Sequence, residues 1–195
     1  MSQPSDGEPI ARYSTNRVRP RLRQGTSLSA RPANARSLPP VAHPPVPELL
    51  PGLRGDLLYS QVPALSTGDR GMLDLLTLDR NARLAVMELK ADEDLHLPLQ
   101  ALDYWIRVRA LNDDRQPGAG GGRPLSAFER QGYFAGTDVS PLPPRLLLAA
   151  PALRIHPANE PVLRYFSPQV EWELIALSEH WRRELKVVFR KRSGQ

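Results

Sequence analysis

The stretch that decides the fold runs from residue 72 to residue 90 and reads MLDLLTLDRNARLAVMELK. Two apolar runs, Met72–Leu78 and Leu84–Leu89, flank residues 79–82, whose Asp-Arg-Asn-Ala sequence is typical of a turn. Runs of six or seven apolar residues bounded by turn formers predict strands, and so short a connection predicts an antiparallel hairpin. This hairpin is the starting point for the rest of the chain.

The hairpin register brings two carboxylates together. If residues 80–82 close the turn, Asp79 lies opposite Arg83, and the same register places Asp74 directly opposite Glu88. Residues that face each other in an antiparallel pair are close neighbours. Two adjacent carboxylates repel each other unless a cation lies between them, and Mg²⁺ is typically held by one or two carboxylates together with waters and phosphate.

A lysine follows on the same face of the returning strand. Side chains alternate along a strand, so Glu88 and Lys90 share one face while Leu89 is expected to point into the core. Only three of the 26 basic residues are lysines, so a site that needed positive charge alone would more naturally carry arginine. We interpret Lys90 as an ammonium that orients water or stabilises phosphate charge beside a metal; a structural ion pair or a set of edge-strand charges is the alternative.

The elements around the hairpin predict an α/β fold with a mixed sheet and flanking helices. Leu95, Leu99, Leu102 and Ile106 recur at helical spacing, which predicts a helix that ends near residue 111 and buries this stripe. Other segments complete the pattern: a helical turn at 48–53, strands at 57–62, 145–153, 170–177 and 185–190, and helices at 125–134 and 160–166.

The predicted helix also carries a polar stripe. Gln100, Tyr104 and Arg107 are spaced by four and three residues and therefore lie on one face. Gln100 is expected to hold Lys90 or a phosphate, Tyr104 to form a hydrogen bond or stack on a base, and Arg107 to bind a backbone phosphate. Core packing is the alternative for Tyr104 and the preferred interpretation for Trp105.

Three motifs in order resemble a known superfamily. Gly71-Met-Leu-Asp74, Glu88-Leu-Lys90 and Gln100-Ala-Leu-Asp-Tyr104 match G-x-x-D, D/E-x-K and Q-x-x-x-Y. In this order they resemble the PD-(D/E)xK nuclease superfamily, in particular its RecB-like branch, over residues 57–108.

The resemblance implies a restriction-endonuclease-like core and metal-dependent hydrolysis of phosphodiester bonds. It implies that Asp74 and Glu88 bind Mg²⁺, with Mn²⁺ as an alternative, and that the Leu89 carbonyl faces the metal. Lys90 matches the catalytic lysine, while Gln100 and Tyr104 match the motif that lines the site and contacts DNA. Two departures concern Leu73, which stands where the superfamily name has Pro, and the upstream glutamate ligand of many members, for which Glu48 is the candidate here.

Composition predicts two regions in the chain. Residues 1–47 hold seven arginines against two acidic residues, with nine of the 21 prolines, and are interpreted as a disordered tail that is either an electrostatic arm or an inert extension. Residues 48–195 are expected to form the nuclease-like domain, with a flexible Gly-rich loop at 112–124. This domain has 19 basic and 19 acidic residues, so the net charge of +5 belongs to the tail.

Several classes are excluded by composition. Without cysteine there is no disulfide framework, thiolate metal site or cysteine nucleophile. The longest uncharged apolar run has eight residues, 146–153, too short for a membrane helix, and no secretory signal is recognised, so a cytoplasmic location is expected.

A basic cluster near the C-terminus is the other nucleic-acid candidate. Arg182 and Arg183 are expected to bind a nucleic-acid backbone, together with residues 186 and 190–192, or else to form a solvated basic surface.

The sequence therefore predicts a Mg²⁺-dependent nuclease acting on nucleic acid, with DNA as the expected substrate. One alternative is an inactive nuclease-fold module that binds nucleic acid or a protein partner, including a second copy of the chain. The other is a metal-free interaction protein in which Asp74, Glu88 and Lys90 form a structural ion-pair cluster.

Overall fold

The predicted hairpin forms two adjacent strands of a six-stranded mixed sheet in the computed structural model, which describes residues 50–63 and 71–194. The α/β architecture with flanking helices is confirmed. The sheet order is β1-β2-β3-β6-β7-β8, and β4 and β5 form a separate two-stranded ribbon. The strands are β1 (Tyr59–Pro63), β2 (Met72–Leu78), β3 (Leu84–Leu89), β4 (Gln116–Pro117), β5 (Pro124–Leu125), β6 (Arg145–Pro151), β7 (Trp172–Leu177) and β8 (Val187–Arg192).

The hairpin turn is held by the aspartate at its first position. Asp79 Oδ1 accepts hydrogen bonds from the backbone N–H of Asn81 at 2.8 Å and of Arg83 at 3.1 Å, and the Asp79 N–H donates to the Arg83 carbonyl. Ala82 has a positive φ of 57°, as expected for the last residue of a three-residue hairpin loop. The loop therefore spans residues 80–82.

The register that follows is the predicted one. Leu75 pairs with Met87, and the same antiparallel register continues to the end of the strand, where it sets Asp74 opposite Glu88. This confirms the predicted juxtaposition at the level of the backbone.

Parallel pairing extends the sheet beyond the hairpin. Strand β3 pairs in parallel with β6, and β6 in parallel with β7, so each connection must cross over the sheet. The crossovers carry three helices: α1 (Leu97–Asp113), α2 (Ala127–Arg130) and α3 (Asn159–Arg164). Buried side chains from all three lie in one apolar cluster with one face of the sheet.

The buried face of α1 differs from the predicted one. The expected stripe was wrong, because Leu99 is 56% exposed and Ile106 is 53% exposed. The helix instead buries Leu97, Ala101, Tyr104, Trp105 and Val108. Both stripes have helical spacing, and the aromatic side chains, which bury more surface than leucine, take the core side.

One other predicted segment differs in detail, and two others reach beyond the described residues. The stretch 112–124 begins inside α1 and then forms the short ribbon of β4 and β5. Of the predicted helical turn at 48–53, the described residues form a turn in which the Leu53 N–H donates to the Leu50 carbonyl, whereas Glu48 lies outside the described residues. The predicted tail also lies outside them.

The second face of the sheet carries an open apolar trough. Its floor comes from a second buried cluster that includes Leu75, Met87, Leu147 and Ile175. The trough has a volume of about 470 Å³. Leu89 lines it and is 41% exposed, so the expectation that Leu89 lies in the core was wrong. Strand β3 ends at Leu89, and among the described residues no helix covers the trough face of the sheet at that point.

In the part of the chain that the structure describes, no helix combines the length and the apolar character needed to cross a membrane.

Candidate active site

Two carboxylates meet where β2 begins and β3 ends. Asp74 Oδ2 accepts a hydrogen bond from the Leu89 N–H at 2.9 Å, which ties it to the neighbouring strand. The Glu88 side chain is only 2% exposed. Its Oε2 is buried and, among the described residues, has no hydrogen-bond partner. A buried carboxylate oxygen without a partner is costly, so this position calls for a proton or a cation.

The pKa of Glu88 reflects the cost of burying its charge. The pKa of Glu88 is raised to about 7, mainly by burial and also by the negative charge of Asp74. Lys90 acts in the opposite direction and lowers this pKa, but it does not offset burial. At neutral pH the metal-free carboxyl therefore exists as a mixture of protonated and ionised forms.

Lys90 is held by three side chains around its ammonium group. Its Nζ donates to Gln100 Oε1 at 2.8 Å and lies 3.4 Å from Glu88 Oε1 and 3.6 Å from Asp94 Oδ2. The Lys90 N–H also donates to the Ala149 carbonyl on β6 at 3.0 Å. Its ammonium is thus fixed beside the acidic pair.

A hydrogen-bond chain links this lysine to the helix. Gln100 Nε2 donates to Tyr104 Oη at 3.3 Å while its Oε1 accepts from Lys90. Tyr104 is 8% exposed and belongs to the core beneath α1. The helical spacing of four residues aligns the two side chains, and the crossover from β3 to α1 brings them back to the strand end.

The predicted nucleic-acid arginines lie in other settings. Arg107 Nε donates to Asp103 Oδ2 at 2.8 Å, one turn earlier on α1. Arg182 and Arg183 are exposed in the connection between β7 and β8, and the Arg182 guanidinium lies 5.1 Å from the centre of the Trp181 ring. The structure therefore brings together the five residues predicted as catalytic, whereas Arg107 pairs with Asp103 and Arg182 lies over the Trp181 ring.

Sequence analysis missed Asp94. Its Oδ1 accepts a hydrogen bond from the His96 N–H at 2.8 Å just before α1, while Oδ2 faces Lys90. Its carbonyl accepts from Asn159 Nδ2 of α3 at 3.1 Å. The detectable signal was an aspartate at a helix start and four residues after the key lysine.

The carboxylate oxygens of Asp74 and Glu88 suit a hard divalent cation that takes few of its ligands from the protein. Within residues 50–63 and 71–194, no group of three or more His, Asp or Glu side chains is placed to hold a metal. Two carboxylates with an unsatisfied buried oxygen fit Mg²⁺, which keeps several waters and binds one or two carboxylates. The Leu89 carbonyl follows Glu88 directly in the sequence.

Comparison with known proteins gives a partial similarity to a solved structure. No family model matches the chain, and no curated protein matches it. A solved structure, the crystal structure of a repair endonuclease from Pyrococcus abyssi, is 17% identical with a TM-score of 0.36. The match covers 62% of this chain and 37% of that chain, so it spans little more than a third of that protein's length.

Proposed function

We propose that the chain is a metal-dependent nuclease that hydrolyses phosphodiester bonds, with DNA as the substrate. The observation that carries the proposal is the meeting of Asp74, Glu88 and Lys90 at one strand end, with a buried Glu88 oxygen that lacks a hydrogen-bond partner among the described residues. A structural ion pair alone would leave that oxygen unsatisfied, whereas a divalent cation would satisfy it.

Asp74 and Glu88 would hold Mg²⁺, which when bound supplies Lewis-acid stabilisation of phosphate charge and lowers the pKa of water. The Leu89 N–H fixes Asp74, and burial fixes Glu88, so both carboxylates are oriented before any ligand arrives. Such preorganisation removes part of the cost of assembling the site during the reaction.

Lys90 would place a positive charge beside the reacting phosphate. Its ammonium group has three donors, of which Gln100 takes one. In hydrolysis, water forms a new bond to phosphorus, the ester P–O bond breaks, and the leaving oxygen ends with a proton. Lys90 orients the attacking water and stabilises the charge on the phosphate oxygens during that exchange.

The test is cleavage of labelled single-stranded, double-stranded and branched DNA with Mg²⁺, Mn²⁺ or EDTA. The wild-type chain should give products that require a divalent metal. Asp74→Ala should lose both metal binding and cleavage. Lys90→Ala should abolish cleavage and leave Mn²⁺ binding nearly intact, because the lysine is not a ligand.

Two results would contradict the proposal. Cleavage by Lys90→Ala at the wild-type rate would refute the role of the lysine. If the wild-type chain binds DNA in Mg²⁺ without any product on all three substrates, the chain is a nucleic-acid-binding module without turnover. Mn²⁺ binding measured by calorimetry separates both outcomes from a metal-free ion-pair cluster.

A further inference from the structure

A second charged cluster lies at the other end of the sheet, where β6 and β7 begin. The Glu173 side chain is only 4% exposed and is surrounded by three guanidinium groups. Arg190 Nη1 lies 3.1 Å from Glu173 Oε1, while Arg145 Nη2 at 3.5 Å and Arg192 Nε at 3.4 Å approach Oε2. All three separations exceed the 2.7–2.9 Å of tight charge-assisted hydrogen bonds.

The cluster contains more positive charge than its carboxylates neutralise. Glu171 is the other acidic member and pairs with Arg83 and Arg145. Four guanidiniums, from Arg83, Arg145, Arg190 and Arg192, thus contact two carboxylates, Glu171 and Glu173, so arginines outnumber carboxylates in this cluster of described residues. The buried Glu173 carboxylate holds the guanidinium groups of Arg145, Arg190 and Arg192 near one another.

A concavity opens at this cluster. It has a volume of about 160 Å³ and is lined by Arg145, Arg192, Ser193 and both glutamates, among others. This is room for several waters or one tetrahedral oxyanion. Ser193 Oγ accepts from the Trp172 N–H at 3.3 Å, so its hydroxyl proton is available to donate to a ligand.

We propose that this concavity binds a phosphate group of the nucleic-acid backbone through Arg145, Arg192 and Ser193. The chemistry is that of guanidinium forks and a hydroxyl around a tetrahedral oxyanion. This inference rests on the proposed function for the identity of the ligand, but it does not require cleavage.

The position of the cluster is consistent with one continuous substrate path. Arg145 and Leu147 share a face of β6, and Leu147 belongs to the cluster beneath the open trough whose rim includes Asp74 and Lys90. Arg145 lies four residues before Ala149, which receives the Lys90 N–H, or about 13 Å along the strand at ~3.3 Å per residue. That is roughly four nucleotides at ~3.4 Å per nucleotide of one strand.

The test compares two neighbouring cations on β8. Arg192 is 53% exposed and belongs to the cluster, while Lys191 is 45% exposed and pairs with Glu160 on the opposite face. Arg192→Met and Lys191→Met each remove one positive charge at similar exposure. Binding of labelled DNA is measured in EDTA over a range of salt concentrations, and thermal unfolding checks that both variants are folded.

Arg192→Met should weaken binding by about five- to tenfold and reduce the slope of log K against log salt by about 0.9 for a duplex. Lys191→Met should change affinity by less than twofold. Equal effects of the two variants would overturn the proposal, because they would report only the lost net charge. If Arg192→Met does not fold, Ser193→Ala is measured instead, and wild-type affinity of that variant would overturn the proposal.

Inorganic phosphate is the second probe. In NMR spectra, the Arg145 and Arg192 Nε–H signals should shift with phosphate but not with chloride at equal ionic strength, and absence of a shift counts against the site. Because these measurements use no metal and no turnover, a chain that binds phosphate here but never cleaves DNA would refute the nuclease and leave this inference standing.

Discussion

Burial and a neighbouring carboxylate destabilise the charged form of Glu88, and Lys90 offsets this only in part. Burial and the charge of Asp74 raise the pKa of Glu88 from 4.5 to about 7, and the ammonium of Lys90 does not restore the ordinary value. A carboxyl with a raised folded-state pKa binds more protons in the folded than in the unfolded chain between these two pH values. The stability of the metal-free protein therefore falls as pH rises from about 4.5 to about 7.

The variant Glu88→Gln measures how much the charge of Glu88 destabilises the metal-free fold. It removes the ionisable group and keeps the shape, so metal-free Glu88→Gln should be more stable than wild type at pH 8, by up to roughly 3 kcal/mol. At pH 4.5 the two proteins should be similar, because Glu88 is then protonated when folded. Thermal unfolding in EDTA across this range checks it, and an equal difference at both pH values would contradict the raised pKa.

Gln100 acts on the proposed reaction through Lys90 and is a positioning residue. Gln100→Leu removes the acceptor for the Lys90 ammonium, and a hydrogen bond to a charged group is worth about 1.5–3 kcal/mol. We expect kcat to fall by roughly 10- to 100-fold while KM changes little. Gln100→Glu keeps an acceptor oxygen and should recover most of the rate. Failure of Glu to rescue the rate would mean that Gln100 acts by another route, such as DNA contact.

At the scale of elements, α1 has two faces with apolar side chains at helical spacing, and only one of them packs in the core. Val108 is fully buried, whereas Ile106, two residues earlier, is 53% exposed. Both have β-branched side chains on the same helix, so they form a matched pair for testing the orientation of α1.

Val108→Ala should destabilise the fold by about 2 kcal/mol, since it removes two buried methyl groups and leaves a cavity. Ile106→Ala should change the free energy of unfolding by less than about 0.5 kcal/mol, as is usual for exposed positions. Urea unfolding of the two variants checks the prediction. The reverse order of effects would restore the stripe expected from the sequence.

For the whole molecule, the distribution of charge predicts that DNA binding and the chemical step depend on different residues. The seven arginines of residues 1–47 account for the excess positive charge, whereas the proposed catalytic residues fall between residues 74 and 104. In the full-length chain, replacing these seven arginines by glutamine changes the net charge from +5 to −2.

That variant should bind DNA more weakly and with a smaller salt slope, because fewer cations meet phosphates. The single-turnover rate at saturating DNA should stay within about twofold of wild type, because the site is unchanged. The matched control replaces the same arginines by lysine and should retain the salt slope. A large loss of the saturated rate in the glutamine variant would show that these arginines act in the chemical step.

The sequence was enough to predict the hairpin, its register and, from the order of elements along the chain, the class of fold. The hairpin and its register depend on local features: strand propensity, an aspartate-led turn and the alternation of side chains, all of which are decided within about twenty residues. The juxtaposition of Asp74 with Glu88 followed from counting across the turn. The spacing of Gln100 and Tyr104 followed from the helical repeat.

Which faces are buried could be read only from the packing of the elements against one another. Burial depends on what packs against each element. The aromatic side of α1 therefore packs against the sheet, and Leu89 lines the open trough. Strand alternation also divided the predicted C-terminal basic cluster, with Arg190 and Arg192 at Glu173 and Lys191 at Glu160. The unsatisfied Glu88 oxygen and the arginine cluster around Glu173 arise from contacts between residues far apart in the chain, which no local pattern encodes.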